Sequence, residues 1–184
     1  NGGTSWQFIP MGHTTNGAAC ISVKPTDSNT LLMAGSSMDW LNRYVSTYET
    51  GIFRSTDKGD TWTKVHATMR FNRNTLCKNT EAFCWDGNTV YALEHKVAYA
   101  STTQTIYKST DSGSTWSSWT TIPAEIYGIV KPTGTTTMYG GGSPGLYRIN
   151  AVSGATTLIL SKPIRKMVVH PTDAYIAYVA VFTT

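Results

Sequence analysis

Two groups of side chains in this sequence are of a type that moves protons or holds charge. The first is the pair of aspartates in two near-copies, "FRSTDKGDTWTKV" at 53–65 and "YKSTDSGSTWSSW" at 107–119. The second is a set of free acidic candidates: Asp39, Glu49, Glu81 and Glu94. Hydrolysis of a glycosidic bond takes two carboxylates across a cleft, about 5 to 10 Å apart. No spacing in the chain pairs two of the four. Asp39 and Glu49, both on the connector 37–50, are the candidates for a catalytic acid.

The repeated aspartates read as turn formers. Asp57 and Asp111 stand where a short acceptor takes the amides of a tight hairpin, and Ser55 and Ser109 reach the same turn. Gly59 and Gly113 permit a positive φ. Thr61 and Thr115 complete the two stretches, and Trp62 and Trp116 are the first bulky residues of the strand that follows.

Three connectors carry recognition chemistry. The segment 37–50, "SMDWLNRYVSTYET", brings Asp39, Trp40, Arg43, Tyr44, Tyr48 and Glu49 together. The segment 66–81, "HATMRFNRNTLCKNTE", brings Arg70, Phe71, Asn72, Arg73 and Lys78. The third, 96–104, is "KVAYASTTQ". Connectors on a rigid scaffold are where binding residues collect. Flat aromatic rings stack on sugar faces, and amide, acid and arginine groups match hydroxyls. Asp39, Trp40, Arg43, Tyr44, Tyr48, Arg70, Asn72 and Arg73 are therefore the candidate contacts to a glycan or a protein surface. Packing of Trp40 and the tyrosines onto their own strands is the other reading, and both stay open.

Other constellations fall away. His13, His66, His95 and His170 lack ligand-like spacing, so no metal is expected, and no cofactor motif occurs. Gly140, Gly141 and Gly142 follow a strand pattern and open no helix, so they cradle no phosphate. They fit close approach of neighbouring sheets or a bulge. Of the 3 cysteines, Cys77 and Cys84 are near enough for a local disulfide, which leaves Cys20 over. Buried thiols are the alternative.

The supporting elements are strands. Only 14% of the 184 residues are charged, and Tyr (10) and Trp (6) are plentiful. Thr, Tyr, Val and Trp favour strands over helices. The net charge is +4, but basic residues never run beyond two, so no nucleic-acid face is expected. No apolar run of about 18 residues exists to span a membrane as a helix.

Repetition sets the architecture. Asp57 and Asp111 are 54 residues apart, and "NGGTSW" at 1–6 overlays the end of the same motif. A second phrase recurs along the chain: "ISVKPTDSNTLLMAGS" at 21–36, "YGIVKPTGTTTMYGGG" at 127–142 and "MVVHPTDAYIAYVAVF" at 167–182. Each is a strand, a Pro/Thr turn and a strand. "AFCWDGNTVYALEH" at 82–95 is the same phrase without proline. Four strands per unit are expected near 19–25, 30–36, 51–55 and 61–65. The second set falls near 81–85, 89–95, 105–109 and 115–119, and the third near 126–131, 136–141, 145–149 and 156–161. A last pair is expected near 164–170 and 174–182. Tandem four-stranded units of this length are blades of a β-propeller. The expectation is an all-β propeller segment of about three and a half blades, part of a ring of about seven. Its units are 1–10 (end of a preceding blade), 11–65, 66–120, 121–161 and 162–184 (start of the next). Open edges imply completion by the rest of the polypeptide or by partner subunits.

On these motifs the chain resembles the Asp-box, or BNR-repeat, propellers: sialidases, sortilin-type receptor domains, photosystem assembly factors and family 74 glycoside hydrolases. The layout of 21–62 and 70–116 is most similar to the N-terminal propeller of family 74 xyloglucanases. There a hairpin, an aromatic loop, a box, an Asn/Arg linker and a second box follow in that order. The resemblance implies that the box lies away from any active site. The family's catalytic Asp stands in a T-D-x-G-G phrase that is not found here, although Asp39 occupies a comparable loop. A sialidase would need three arginines, for which only Arg43, Arg70 and Arg73 offer, and an F/Y-R-I-P phrase that is absent.

Three functions follow as expectations. One is a non-catalytic, extracellular or surface-exposed propeller, of a secreted, cell-surface or virion protein, that binds glycan or protein. One is a piece of a family-74-like polysaccharide hydrolase. The third is a peptide-binding assembly or receptor propeller.

Overall fold

The computed structural model describes residues 4, 12–13, 18–36, 49–69, 82–94, 103–123, 125–170, 173 and 175–181. The regular elements among them are all strands. The first sheet is β1 (Ala18–Lys24), β2 (Asp27–Gly35), β3 (Gly51–Ser55) and β4 (Thr63–His66). The second is β5 (Phe83–Asp86), β6 (Thr89–Leu93), β7 (Gln104–Ser109) and β8 (Ser117–Ile122). The third is β9 (Ile126–Val130), β10 (Thr137–Gly142), β11 (Leu146–Asn150) and β12 (Thr156–Leu160). The last, β13 (Ile164–Val169) and β14 (Ala177–Val181), has two strands.

Each sheet is a simple antiparallel meander in chain order. β4 and β8 begin about two residues later than the sequence pattern suggests. The amides of Thr61 and Thr115 donate to the turn aspartates instead of to the ladder, so pairing starts only beyond them.

The core is a series of interfaces between consecutive sheets. Leu32, Ala34 and Ile52 of the first sheet meet Phe83, Val90 and Ala92 of the second. Tyr91, Leu93 and Ile106 meet Ile126, Ile129, Met138 and Ile149 of the third. Tyr139 and Leu146 meet Ile164 and Met167 of the last pair. Strands covered on both faces read as continuous apolar runs rather than alternating ones; Thr89–Leu93 and Thr137–Gly142 are such runs. A fully buried aliphatic side chain contributes about 1.5 to 3 kcal/mol, so these seams carry much of the folding free energy. The glycines of β10 serve close approach and a bulge together. A Cβ on Gly141 would lie 2.8 Å from Ile164 Cγ2, and the register slips between Gly141 and Gly142.

Candidate functional site at the connector end of the sheets

An antiparallel meander has two ends. One carries the β1–β2 and β3–β4 turns and their equivalents in the other sheets. The other carries the β2–β3 links and the crossings from sheet to sheet.

The turn end is closed by hydrogen bonds. In the first box, Asp57 Oδ1 accepts from the Thr61 amide (2.9 Å) and the Ser55 hydroxyl (2.7 Å). Asp57 Oδ2 accepts from the Thr61 hydroxyl, and Ser55 Oγ accepts from the Gly59 amide (2.8 Å). Thr115, Ser109 and the Gly113 amide repeat this pattern around Asp111. The Thr61 hydroxyl and amide, then Ser55, hold the Asp57 carboxyl down to about 2. Burial, the largest single influence, pushes Asp111 up, but the bonds from Thr115, Ser109 and the Ser114 amide together outweigh it and leave it at about 2. A carboxylate so fixed in the ionised form is a poor proton donor at neutral pH.

The same end joins neighbouring sheets. Lys24 Nζ donates to Asn88 Oδ1 (2.7 Å) and Ser112 Oγ (2.9 Å), and Arg54 Nε donates to the Ser112 carbonyl (2.9 Å). Lys131 Nζ, almost fully buried, pairs with Asp86 Oδ2 at 2.5 Å. Asp86, at the end of β5, also accepts from the Gly134 amide of the next sheet. In the third sheet Asn150 substitutes for the missing box aspartate, and its Oδ1 accepts from the amides of Val152 and Ser153.

The connector end carries a polar fringe. His66, at the end of β4, lies edge-on to Tyr107 (ring centroids 5.0 Å apart), and its Nδ1 accepts from the Met69 amide. Burial pushes the His66 pKa down, so the neutral ring carries its proton on Nε2. Thr50 donates to the Met69 carbonyl and so ties the two connectors of the first sheet to each other. Gln104 Oε1 accepts from the Ile126 amide. Glu94 is buried, and desolvation first and the Glu94 charge second push the Tyr107 hydroxyl up.

Glu49 leads into β3, and its Oε2 meets His13 Nδ1 at 2.9 Å. His13 Nε2 lies 3.3 Å from the Trp62 carbonyl oxygen, and the ring rests on Phe53 (centroids 4.7 Å apart). Phe53 is on the face of the first sheet turned away from the second, since its neighbours Ile52 and Arg54 face the second. Glu49 is thus an anchored carboxylate on that face, about one-third exposed.

The remaining expected contacts, Asp39, Trp40, Arg43, Tyr44, Tyr48, Arg70, Asn72 and Arg73, lie outside the described residues, as do Glu81 and Cys77. Cys20 and Cys84 are thiols, and Cys84 is buried beside the Lys131 carbonyl. His13 as the Glu49 partner has no short-range signal, because 36 residues separate them. Asn150 had a readable signal, an Asx residue opening a Ser/Gly turn.

Four-stranded antiparallel meanders, stacked face to face in chain order, define an arc of β-propeller blades. Solved structures carry the same arc. A GH74 enzyme of Niastella koreensis superposes with a TM-score of 0.68 at 23% identity, over 91% of this chain and 26% of that one. An ancestral GH74 enzyme gives 0.70 at 16%, over 97% and 23%. YCF48 bound to D1 peptide gives 0.54 at 17%, over 89% and 47%. At these identities the likeness shows the fold, and the chain spans about a quarter of the length of the two GH74 enzymes. No protein-family model and no curated protein matches it. Among the described residues, no helix is long and apolar enough to cross a membrane.

Proposed function

We propose that this propeller arc is a non-catalytic, surface-exposed or secreted ligand-binding segment, and that its connector end takes carbohydrate. One observation carries the reading. The three longest links, β2–β3 and β4–β5 with residues 37–50 and 66–81, and β6–β7 with 96–104, all leave from the end opposite the box turns. In sequence, these links carry the aromatic, amide and arginine residues suited to sugar. Of the candidate acids that are described, Glu49 is held by His13 and Glu94 is buried.

The fold likeness to GH74 enzymes favours a second reading, a segment of a polysaccharide hydrolase. The YCF48 structure with its peptide favours a third, peptide binding.

Affinity electrophoresis of the 184-residue chain through gels containing xyloglucan, mixed-linkage glucan or no polysaccharide tests the proposal. Retardation by a polysaccharide, with no new reducing ends released in solution, supports it. Release of reducing ends moves the assignment to the hydrolase. Unchanged mobility in every gel overturns carbohydrate binding and leaves the peptide reading.

A further inference from the structure

Two histidines of this chain stand at equivalent places in the repeat and are held in opposite ways. His13 and His66 are 53 residues apart. The rings they rest on, Phe53 of β3 and Tyr107 of β7, are 54 apart. His13 Nδ1 meets the Glu49 carboxylate at 2.9 Å, and its Nε2 lies 3.3 Å from the Trp62 carbonyl oxygen. Both partners are acceptors, so His13 keeps them when its ring takes a second proton. His66 Nδ1 instead accepts from the Met69 amide at 3.2 Å. An imidazolium only donates, so that bond exists only while His66 is neutral.

Met69 is what the bond fixes. Its side chain is fully buried in the cluster of Leu32, Ile52 and Phe83, at the seam of the first and second sheets. Its carbonyl accepts from the Thr50 hydroxyl at 2.9 Å. Thr50 ends the connector 37–50 and Met69 lies in the connector 66–81, so one residue ties the roots of both to the seam. Among the described residues, the titratable groups around His66 are few. Tyr107 of β7 faces the ring, and Glu94 of β6 acts on Tyr107. Ile52 is the cross-strand neighbour on β3, and Lys64 of β4 places its ammonium over Phe53. Burial holds the His66 pKa below the ordinary 6.5, so the bond is intact at neutral pH and is lost as pH falls.

We infer that His66, Met69 and Thr50 form an acid-sensitive latch at the root of the connector end. A proton on His66 Nδ1 turns its bond to the Met69 amide into a contact between two donors. Met69 then leaves the seam, and carbohydrate held at this end is released. The release rests on the carbohydrate reading above, whereas the latch does not.

The latch is tested without ligand. Hydrogen exchange of the Met69 amide in the isotope-labelled 184-residue chain is followed by NMR at pH 7.5 and pH 5.0, each rate divided by the intrinsic rate at that pH. Protection is expected to fall about threefold or more in acid. In the His66→Asn chain, Oδ1 accepts from the same amide without titrating, and protection should hold at both pH values. Circular dichroism checks that this chain stays folded; if it does not, His66→Gln takes its place. Protection that is constant in the parent, or that falls equally in the variant, overturns the latch. Gels containing xyloglucan or mixed-linkage glucan, run at the same two pH values against polysaccharide-free gels, test the release. Retardation several-fold weaker at pH 5.0 in the parent, and equal at both pH values in His66→Asn, supports it. Equal retardation in the parent overturns it. No retardation at either pH overturns the carbohydrate reading and the release with it, and the exchange result alone then decides the latch.

Discussion

Gly113, at the tip of the second box turn, lies against Leu32 of the preceding sheet: a Cβ added there would stand 2.6 Å from Leu32 Cδ2. Gly59 is its repeat partner, and a Cβ there would meet only Trp62 of its own hairpin, at 3.6 Å. Both residues have positive φ (+83° and +98°), so backbone strain is common to the two and the packing clash belongs to one. Gly113→Ala is expected to cost about 1 to 3 kcal/mol more than Gly59→Ala, the usual range for overpacking. Urea unfolding of the two variants measures the difference, and equal losses would refute the packing argument.

The pair of Lys131 and Asp86 has unequal partners. The Lys131 side chain is 1% exposed and that of Asp86 26%. Burial pushes the Asp86 carboxyl up, but the bonds from Lys131 and the Gly134 amide, with the Lys131 charge, bring it below its ordinary value. Asp86→Ala strands a buried ammonium and is expected to cost about 3 to 5 kcal/mol. Lys131→Met keeps the stem volume and leaves a carboxylate that water reaches, for about 1 to 2 kcal/mol. Thermal denaturation of both variants gives the order, and the reverse order would count against it.

Acid should weaken the box turns. Asp57 and Asp111 titrate at about 2 when folded, against an ordinary 3.8. The unfolded chain therefore binds more protons between those values, and stability falls as pH falls. The contribution of the two carboxylates is complete well above pH 3.8 and drains as pH drops toward 2. Asp57→Asn with Asp111→Asn should flatten the slope of Tm against pH in that window. His66 acts in a higher window. Burial lowers its pKa when folded from an ordinary 6.5, so its contribution is full above pH 6.5 and is lost as pH falls below it. His66→Gln should remove that shallower step and no other.

Glu49, anchored by His13, is a described carboxylate about one-third exposed to solvent. Glu49→Gln keeps the shape and a hydrogen-bonding side chain and removes the charge. If polysaccharide is held at this face, the variant should lose several-fold in affinity in the same gels while unfolding within about 0.5 kcal/mol of the parent, as surface ion pairs contribute little. Unaltered mobility would place the ligand away from Glu49.

Much of the fold was legible because the relevant signals are local. Twofold alternation, Pro/Thr turns and the repeated Ser-x-Asp-x-Gly-x-Thr-Trp stretch located the strands to within a few residues, since each signal acts within one hairpin. The delay of β4 and β8 was not legible, because it depends on where the Thr61 and Thr115 amides are used. The site was less legible. Glu49 was named, but its anchor His13 is remote in sequence and nothing short-range connects them. The pairing of Lys131 with Asp86, and that of Arg54 with Ser112, likewise join residues of different sheets, brought together only when the apolar faces stack.

The sequence by itself determined what one hairpin can decide: the strands, the turns, the ionised turn aspartates and the blade repeat. Only the tertiary structure decided which face of each sheet meets the next and which charges are paired at those seams. The physical reason is range. Turn chemistry and alternation act over a few residues, whereas burial and charge pairing depend on surfaces that meet only in the folded arc.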